Sequence, residues 1–194
     1  MIYTPQMTLR DARDIYFRLN NFGGDGGYTE RWIKVKVWRI PIWLPNTEGR
    51  RKAVKLHDLH NILTEYPTTW RGEAEISAWE IGSGGLHRYY AGWLLDLMNV
   101  AQGLVVNPLG VYRGFMRGRR SSNLFYTEFN DDMLTAPVSE FRQRLRLDEP
   151  PEPVSFKDNT AFLFWILVSA ATYIGALFLP LVSFIAFILW VFWW

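Results

Sequence analysis

The side chains best suited to chemistry lie in one segment, residues 57–73, which reads HDLHNILTEYPTTWRGE. It contains two of the three histidines of the chain, His57 and His60, and the acidic residues Asp58 and Glu73 stand at spacings that could join them. Two imidazoles with one or two carboxylates suit zinc, or an iron or manganese site built from two histidines and a carboxylate. We therefore predict a divalent-metal site in this segment, with zinc favoured.

The spacing places these residues on two helices that can meet. In a helix running to about residue 65, His57, His60 and Asn61 stand at i, i+3 and i+4 and share one face. The turn at Pro67 lets a second helix fold back, so that Glu73 in its first turn can reach His57. The alternative is a capped helix pair in which His57 and Glu73 only satisfy each other's hydrogen bonds.

Hydrophobic periodicity predicts a mainly α fold for the rest of the charged region. The predicted helices cover residues 8–20, 47–65, 73–81, 89–102 and 131–146. Residues 31–44 alternate imperfectly and contain a proline, so we predict a short strand pair or an extended arm there. Residues 107–118 are predicted to form a loop and turn.

Residues 159–194 contain no Lys, Arg, Asp or Glu, and this uncharged tail predicts a membrane segment. About 20 helical residues span the roughly 30 Å hydrocarbon core, so the tail is too long for one upright span. Two alternatives remain: one tilted helix kinked at Pro180, which we favour, or a re-entrant hairpin that turns within residues 175–180. Tryptophans near both ends fit the aromatic belts of a membrane: Trp165, Trp190, Trp193 and Trp194.

Charge and composition divide the chain into three parts. Residues 1–146 are predicted to form a helical globular domain, residues 147–158 an extended spacer rich in proline and acid, and residues 159–194 a membrane anchor. The basic residues Arg142, Arg144, Arg146 and Lys157 precede the tail, and no basic residue follows it. By the positive-inside rule this predicts that the globular domain faces the cytoplasm. The chain has no cysteine, which excludes disulfides, thiolate metal sites and a cysteine nucleophile.

The segment from His57 to Glu73 resembles the signature of the fourth coenzyme Q biosynthesis protein family. That signature is His-Asp-x-x-His, then eleven residues, then Glu. His57, Asp58 and Glu73 match it, and the surrounding residues Leu63, Thr64, Pro67, Thr68 and Gly72 resemble the family pattern. The second histidine position falls on Asn61, a poor zinc ligand. Either His60 replaces that ligand from the adjacent position or the metal has been lost.

The resemblance implies a helical, membrane-associated protein that binds prenylated quinone intermediates or lipid and associates with a larger membrane complex. The implied chemistry is metal-dependent removal of the ring carboxyl group of a quinone precursor and its replacement by hydroxyl. On that basis His57, Asp58 and Glu73 are the candidate catalytic residues. Two hypotheses follow: a membrane-anchored quinone-modifying enzyme, or a non-catalytic accessory subunit derived from one.

Three further features carry weaker predictions. Glu80 lies seven residues after Glu73 and hence on the same helix face, either as an acid behind the metal ligands or, which we favour, as a solvated glutamate. His87 could complete the site, although a lone histidine is more often structural. The basic residues between 113 and 120 could contact lipid headgroups. With a net charge of only +2, we predict no nucleic-acid partner.

Overall fold

The computed structural model describes residues 2–37, 40–150 and 152–193, and helix dominates them, as predicted. The helices are α1 (Leu9–Asn20), α2 (Glu48–Thr64), α3 (Trp70–Gly82), α4 (Tyr90–Val106), α5 (Pro108–Gly118), α6 (Val138–Arg144) and α7 (Phe156–Trp193). The arm is an antiparallel strand pair, β1 (Trp32–Val37) and β2 (Ile40–Pro45). A 3₁₀ turn, Asp131–Thr135, precedes α6.

Local sequence signals set the ends of the two helices that carry the predicted site. Thr47 caps α2 by accepting a hydrogen bond from the Arg50 amide, and Thr69 caps α3 in the same way through the Gly72 amide. Gly72 is required for close approach, since a Cβ there would overlap the Pro67 carbonyl oxygen. The Pro67 turn therefore packs directly on the first turn of α3 and fixes the position of Glu73.

The prediction of a loop at 107–118 is wrong, because this segment forms α5. Asn107 caps it and Pro108 occupies its first turn, as helix starts prefer. Gly110, Gly114 and Gly118 lower its intrinsic helix propensity, yet their spacing of four places them on one face. That face lies against α3: a Cβ on Gly114 would overlap the Glu75 carbonyl oxygen.

The predicted helix at 131–146 is shorter than expected. Pro137 lies between the 3₁₀ turn and α6, where its missing N–H interrupts the helical hydrogen bonds.

The hydrophobic core lies around α3, whose fully buried side chains include Ile76 and Trp79.

The apolar tail forms one helix of 38 residues and does not reverse within residues 175–180. The hairpin alternative is therefore wrong, and α7 is long and apolar enough to span a membrane. Ser155 and Asp158 cap its start reciprocally, with each side chain accepting from the other's backbone amide. Trp194, predicted as part of the aromatic belt, lies outside the described residues.

The spacer predicted at 147–158 does not hold α7 away from the domain. α7 begins at Phe156, and the Arg119 guanidinium donates to Asp158 at 3.0 Å. Further along, Trp165 stacks on Trp93 of α4 with ring centroids 5.1 Å apart. The first half of α7 is therefore packed against α4 and α5.

Candidate functional site

Helices α2, α3 and α4 supply acidic and imidazole side chains to one cavity of about 790 Å³. The lining includes His57 and Asp58 from α2, with three further carboxylates from the neighbouring helices: Glu73, Glu80 and Asp96. The structure thus brings together three residues of the predicted site in one cavity, His57, Asp58 and Glu73.

Glu80 is the centre of this arrangement. It is fully buried, and its Oε1 lies 2.9 Å from Nδ1 of His57 and 2.6 Å from Nδ1 of His60. Burial alone would raise the pKa of Glu80, but the charge of His57 and the hydrogen bonds from both histidines hold it below its usual range. The expectation of a solvated glutamate is wrong, and the spacing of seven from Glu73 was the signal that placed it on this face.

His60 is hydrogen-bonded at both ring nitrogens and is not free to bind a metal. Its Nε2 accepts a hydrogen bond from the Leu124 amide at 2.9 Å, so its proton resides on Nδ1 and is donated to Glu80. The rings of Trp79 and Phe125 pack edge-on against it. Burial lowers the pKa of His60. The prediction that His60 replaces the missing ligand is therefore corrected: it is a neutral, structural histidine.

His57 bridges two carboxylates. Its Nδ1 faces Glu80, while its Nε2 lies 3.5 Å from Oε2 of Glu73 and 3.1 Å from the Asn61 amide. Burial acts to lower the pKa of His57, but the charges of Glu80 and Glu73 and the hydrogen bonds to them outweigh it and raise the pKa well above 6.5. His57 is therefore an imidazolium that joins α2 to α3.

The Asn61 amide completes the surroundings of that imidazolium. Its Oδ1 is buried and has no hydrogen-bond partner among the described residues, while its Nδ2 faces Nε2 of His57. A protonated Nε2 is a donor and needs an acceptor. Rotating the Asn61 side-chain amide by 180° exchanges Oδ1 and Nδ2, so that Oδ1 accepts a hydrogen bond from Nε2 of His57. Both Oδ1 and the His57 Nε2–H group then have a partner.

Asp58 faces a different neighbour. The Tyr28 hydroxyl donates to its Oδ2 at 2.6 Å. Burial raises the pKa of Asp58 to about 6, although the Tyr28 hydrogen bond and the charge of His57 oppose the shift. Asp58 thus lines the cavity but is engaged by the segment that precedes β1.

Asp96 was not predicted, and it lies behind Glu80 in the core. Its Oδ1 accepts from the Ser77 hydroxyl at 3.2 Å, and the Asn99 amide in turn donates to Ser77 at 3.1 Å. Burial and the charge of Glu80 raise the pKa of Asp96 well above its ordinary value. Oε2 of Glu80 and Oδ2 of Asp96 are both buried without a hydrogen-bond partner among the described residues, and a proton on Asp96 would supply the donor that these two oxygens lack. The sequence did contain a signal for Asp96, because it is the only charged residue of α4.

We expect Asp96→Asn to make stability less dependent on pH. The pKa of Asp96 is higher in the folded protein than in the unfolded protein, where it is about 3.9. Its contribution to the free energy of unfolding therefore falls as the pH rises above about 3.9. Asparagine keeps a donor for Glu80 and cannot ionise. Urea unfolding between pH 5 and 8 should show a flatter curve than the wild type, with the exposed Asp132→Asn as control. An unchanged pH dependence would contradict a protonated Asp96.

A second cavity of about 700 Å³ lies between the start of α3, the second half of α4 and α7, and we call it the α4–α7 groove. Arg71 contributes one cation to its lining. Most of the other lining residues are apolar or aromatic: Trp70, Ala101, Leu104, Val105, Val106, Ala170, Tyr173 and Ile174. Asn99 lines both this groove and the His57 cavity. Both cavities therefore border the same residue, Asn99.

The remaining predicted residues lie elsewhere. His87 is exposed and packs against Tyr126, with ring centroids 4.8 Å apart, and it does not line the His57 cavity. In the basic run, Arg117 donates to the Thr64 carbonyl oxygen at 3.0 Å and Arg119 pairs with Asp158. Those two arginines therefore hold helices together.

The donor set does not fit the zinc centre that the resemblance implies. Of the predicted ligands His57, Asp58, His60, Asn61 and Glu73, only His57 contributes an imidazole, and its Nδ1 is bonded to Glu80. Among the described residues, no group of three or more His, Asp and Glu side chains is placed to hold a metal ion. What remains is one nitrogen and several oxygens, a set that suits harder ions better than zinc.

No protein-family model matches this chain, and neither a curated protein nor a solved structure matches it significantly.

Proposed function

We propose that this chain is a membrane-anchored protein that binds a prenylated aromatic lipid of the quinone type. The aromatic head would occupy the His57 cavity and the prenyl tail the α4–α7 groove. The observation that carries the proposal is that Asn99 lines both cavities, so that a polar and an apolar compartment are neighbours.

The chemistry of each compartment supports this assignment. In the His57 cavity, the Asn99 amide has a second N–H that can donate to a carbonyl or hydroxyl oxygen of a ring, and the positive charge of His57 favours such an oxygen nearby. Aromatic side chains line the same cavity, among them Tyr16 and Phe125, and suit the faces of a flat ring. The groove offers the apolar surface that an isoprenoid chain requires.

The apolar α7 supports the membrane location. Its length and composition fit a membrane span. The basic residues that precede it favour a cytoplasmic domain, as the sequence predicts. Leu163, Phe164 and Leu167 on its first half are exposed, a surface that suits lipid or a subunit of a larger membrane complex.

We place lipid handling without ring chemistry first, as in an accessory subunit, because His60 is engaged and Asn61 stands where the family has a histidine. Metal-dependent ring decarboxylation and hydroxylation is the second candidate. It is favoured by Glu80, which bonds Nδ1 of His57 as a carboxylate does when it orients a metal-binding histidine. For this, His57 Nε2 would have to lose its proton, and Glu73, Asp58 and Asn61 would have to move together around an oxygen-preferring ion such as manganese or iron, because the described side chains are not placed to hold one.

Filling the groove tests the proposal. Ala101→Trp should weaken binding of a prenylated benzoquinone at least about tenfold, the contribution of two or three buried methylenes. The matched control is Ala91→Trp, at an exposed position near the other end of the same helix. Affinity is measured by titration in detergent, and thermal unfolding verifies that both variants fold. Equal affinities of the two variants would contradict the placement of the tail.

A further inference from the structure

Exposed apolar side chains gather at one end of the domain, where α3 begins, α4 ends and α5 begins. Val105 is 83% exposed, Leu109 55%, Val106 52% and Trp70 51%. Three helix termini contribute to this patch, which we call the α3–α4–α5 end. Large apolar groups clustered in this way mark a surface that meets something other than water.

α7 passes this end on its way out of the domain. Ala170, Tyr173 and Ile174 line the groove together with Val105 and Val106. Beyond this point α7 continues to Trp193. Those roughly 20 residues extend about 30 Å, the thickness of the hydrocarbon core.

α7 is also fixed in direction relative to the domain. The Arg119–Asp158 ion pair, the Tyr112–Asn159 hydrogen bond and the Trp93–Trp165 stack hold its first three turns against α5 and α4. Because α7 is packed in this way and not tethered by a spacer, its insertion would bring the α3–α4–α5 end to the membrane surface.

We propose that the α3–α4–α5 end is inserted into the membrane surface beside α7, with Val105, Val106 and Leu109 among the lipid chains nearest the headgroups. This inference rests on the proposed anchoring by α7. Trp70 suits the interface, where aromatic rings concentrate. Arg71, exposed beside it at the rim of the groove, can extend its guanidinium to the headgroups. The groove would then open toward the bilayer.

The absence of cysteine makes the test direct, since single-cysteine variants need no background substitutions. Val106→Cys, Leu109→Cys, Arg88→Cys and Ile185→Cys are labelled with an environment-sensitive fluorophore. The full-length proteins are reconstituted into phosphatidylcholine and phosphatidylglycerol vesicles, with and without lipids brominated on the acyl chain. Arg88 is the matched control because it is exposed and precedes the opposite end of α4. Ile185 reports on α7 itself.

We expect brominated lipid to reduce emission at 106, 109 and 185 by about twofold or more, and to leave emission at 88 unchanged, given an insertion depth of about 5–10 Å. Quenching at 185 without quenching at 106 and 109 would overturn the inference and leave the anchor standing. That result would also assign the α3–α4–α5 end to a protein partner or to water. Absence of quenching at 185 would overturn the anchoring on which the inference rests.

Discussion

Replacing Glu80 by alanine is expected to lower the free energy of unfolding by about 3–5 kcal/mol, the range for removing one partner of a buried ion pair. Glu80 is fully buried and bonds the Nδ1 atoms of both His57 and His60. Without it, the His57 imidazolium loses its closest counter-charge and the His60 N–H has no acceptor. Urea unfolding of the two proteins at pH 7 measures the loss.

The substitution Glu80→Gln separates charge from hydrogen bonding. Glutamine keeps an oxygen that accepts from both histidines but removes the charge that helps to raise the pKa of His57. We therefore expect a smaller loss than for alanine, and an NMR titration should show the His57 pKa moving down. Glu48→Ala, at an exposed position in α2, is the control. Equal stability of Glu80→Ala and that control would contradict the central place of Glu80.

Replacing Asn61 by histidine, the residue that the resembled signature has at this position, is expected to strengthen zinc binding. We expect Asn61→His to bind zinc at least about tenfold more tightly than the wild type, because a second imidazole then faces the side of His57 that lies toward Glu73. Competition with a chromogenic chelator measures the affinity at pH 7.5, where imidazole ligands are more readily deprotonated.

His60→Gln is the matched control for this experiment. Both nitrogens of His60 are already bonded, so its replacement should lower stability and leave zinc affinity unchanged. Loss of zinc binding in His60→Gln, with no gain in Asn61→His, would contradict the geometry and favour His60 as the ligand.

The helix ends that position the site could be predicted from the sequence, because capping and turn residues next to them determine where the helices begin. Thr47 marked the start of α2, and the Pro67 turn placed Glu73 at the start of the next helix. His57 and Glu73 accordingly meet. The spacing of His60 from His57 could not predict which way its ring turns, since that depends on the Leu124 amide 64 residues away.

Tertiary packing accounts for what the sequence did not predict. The glycines of α5 favoured a loop by propensity, but they serve close packing on α3. Asp96 stood alone in an apolar helix, and Glu80, whose charge helps to raise its pKa, comes from another helix. The spacer before α7 was predicted from its prolines, whereas the stack of Trp165 on Trp93 joins residues 72 positions apart.

We propose that one ligand occupies both the His57 cavity and the α4–α7 groove. A titration with a prenylated benzoquinone and with the same ring lacking the tail tests it most directly, in wild type, Ala101→Trp and His57→Gln. We predict that the wild type favours the tailed ligand by more than about tenfold, that Ala101→Trp abolishes this preference, and that His57→Gln weakens both ligands equally. A tail preference that survives in Ala101→Trp, or affinities unaffected by His57→Gln, would contradict the account.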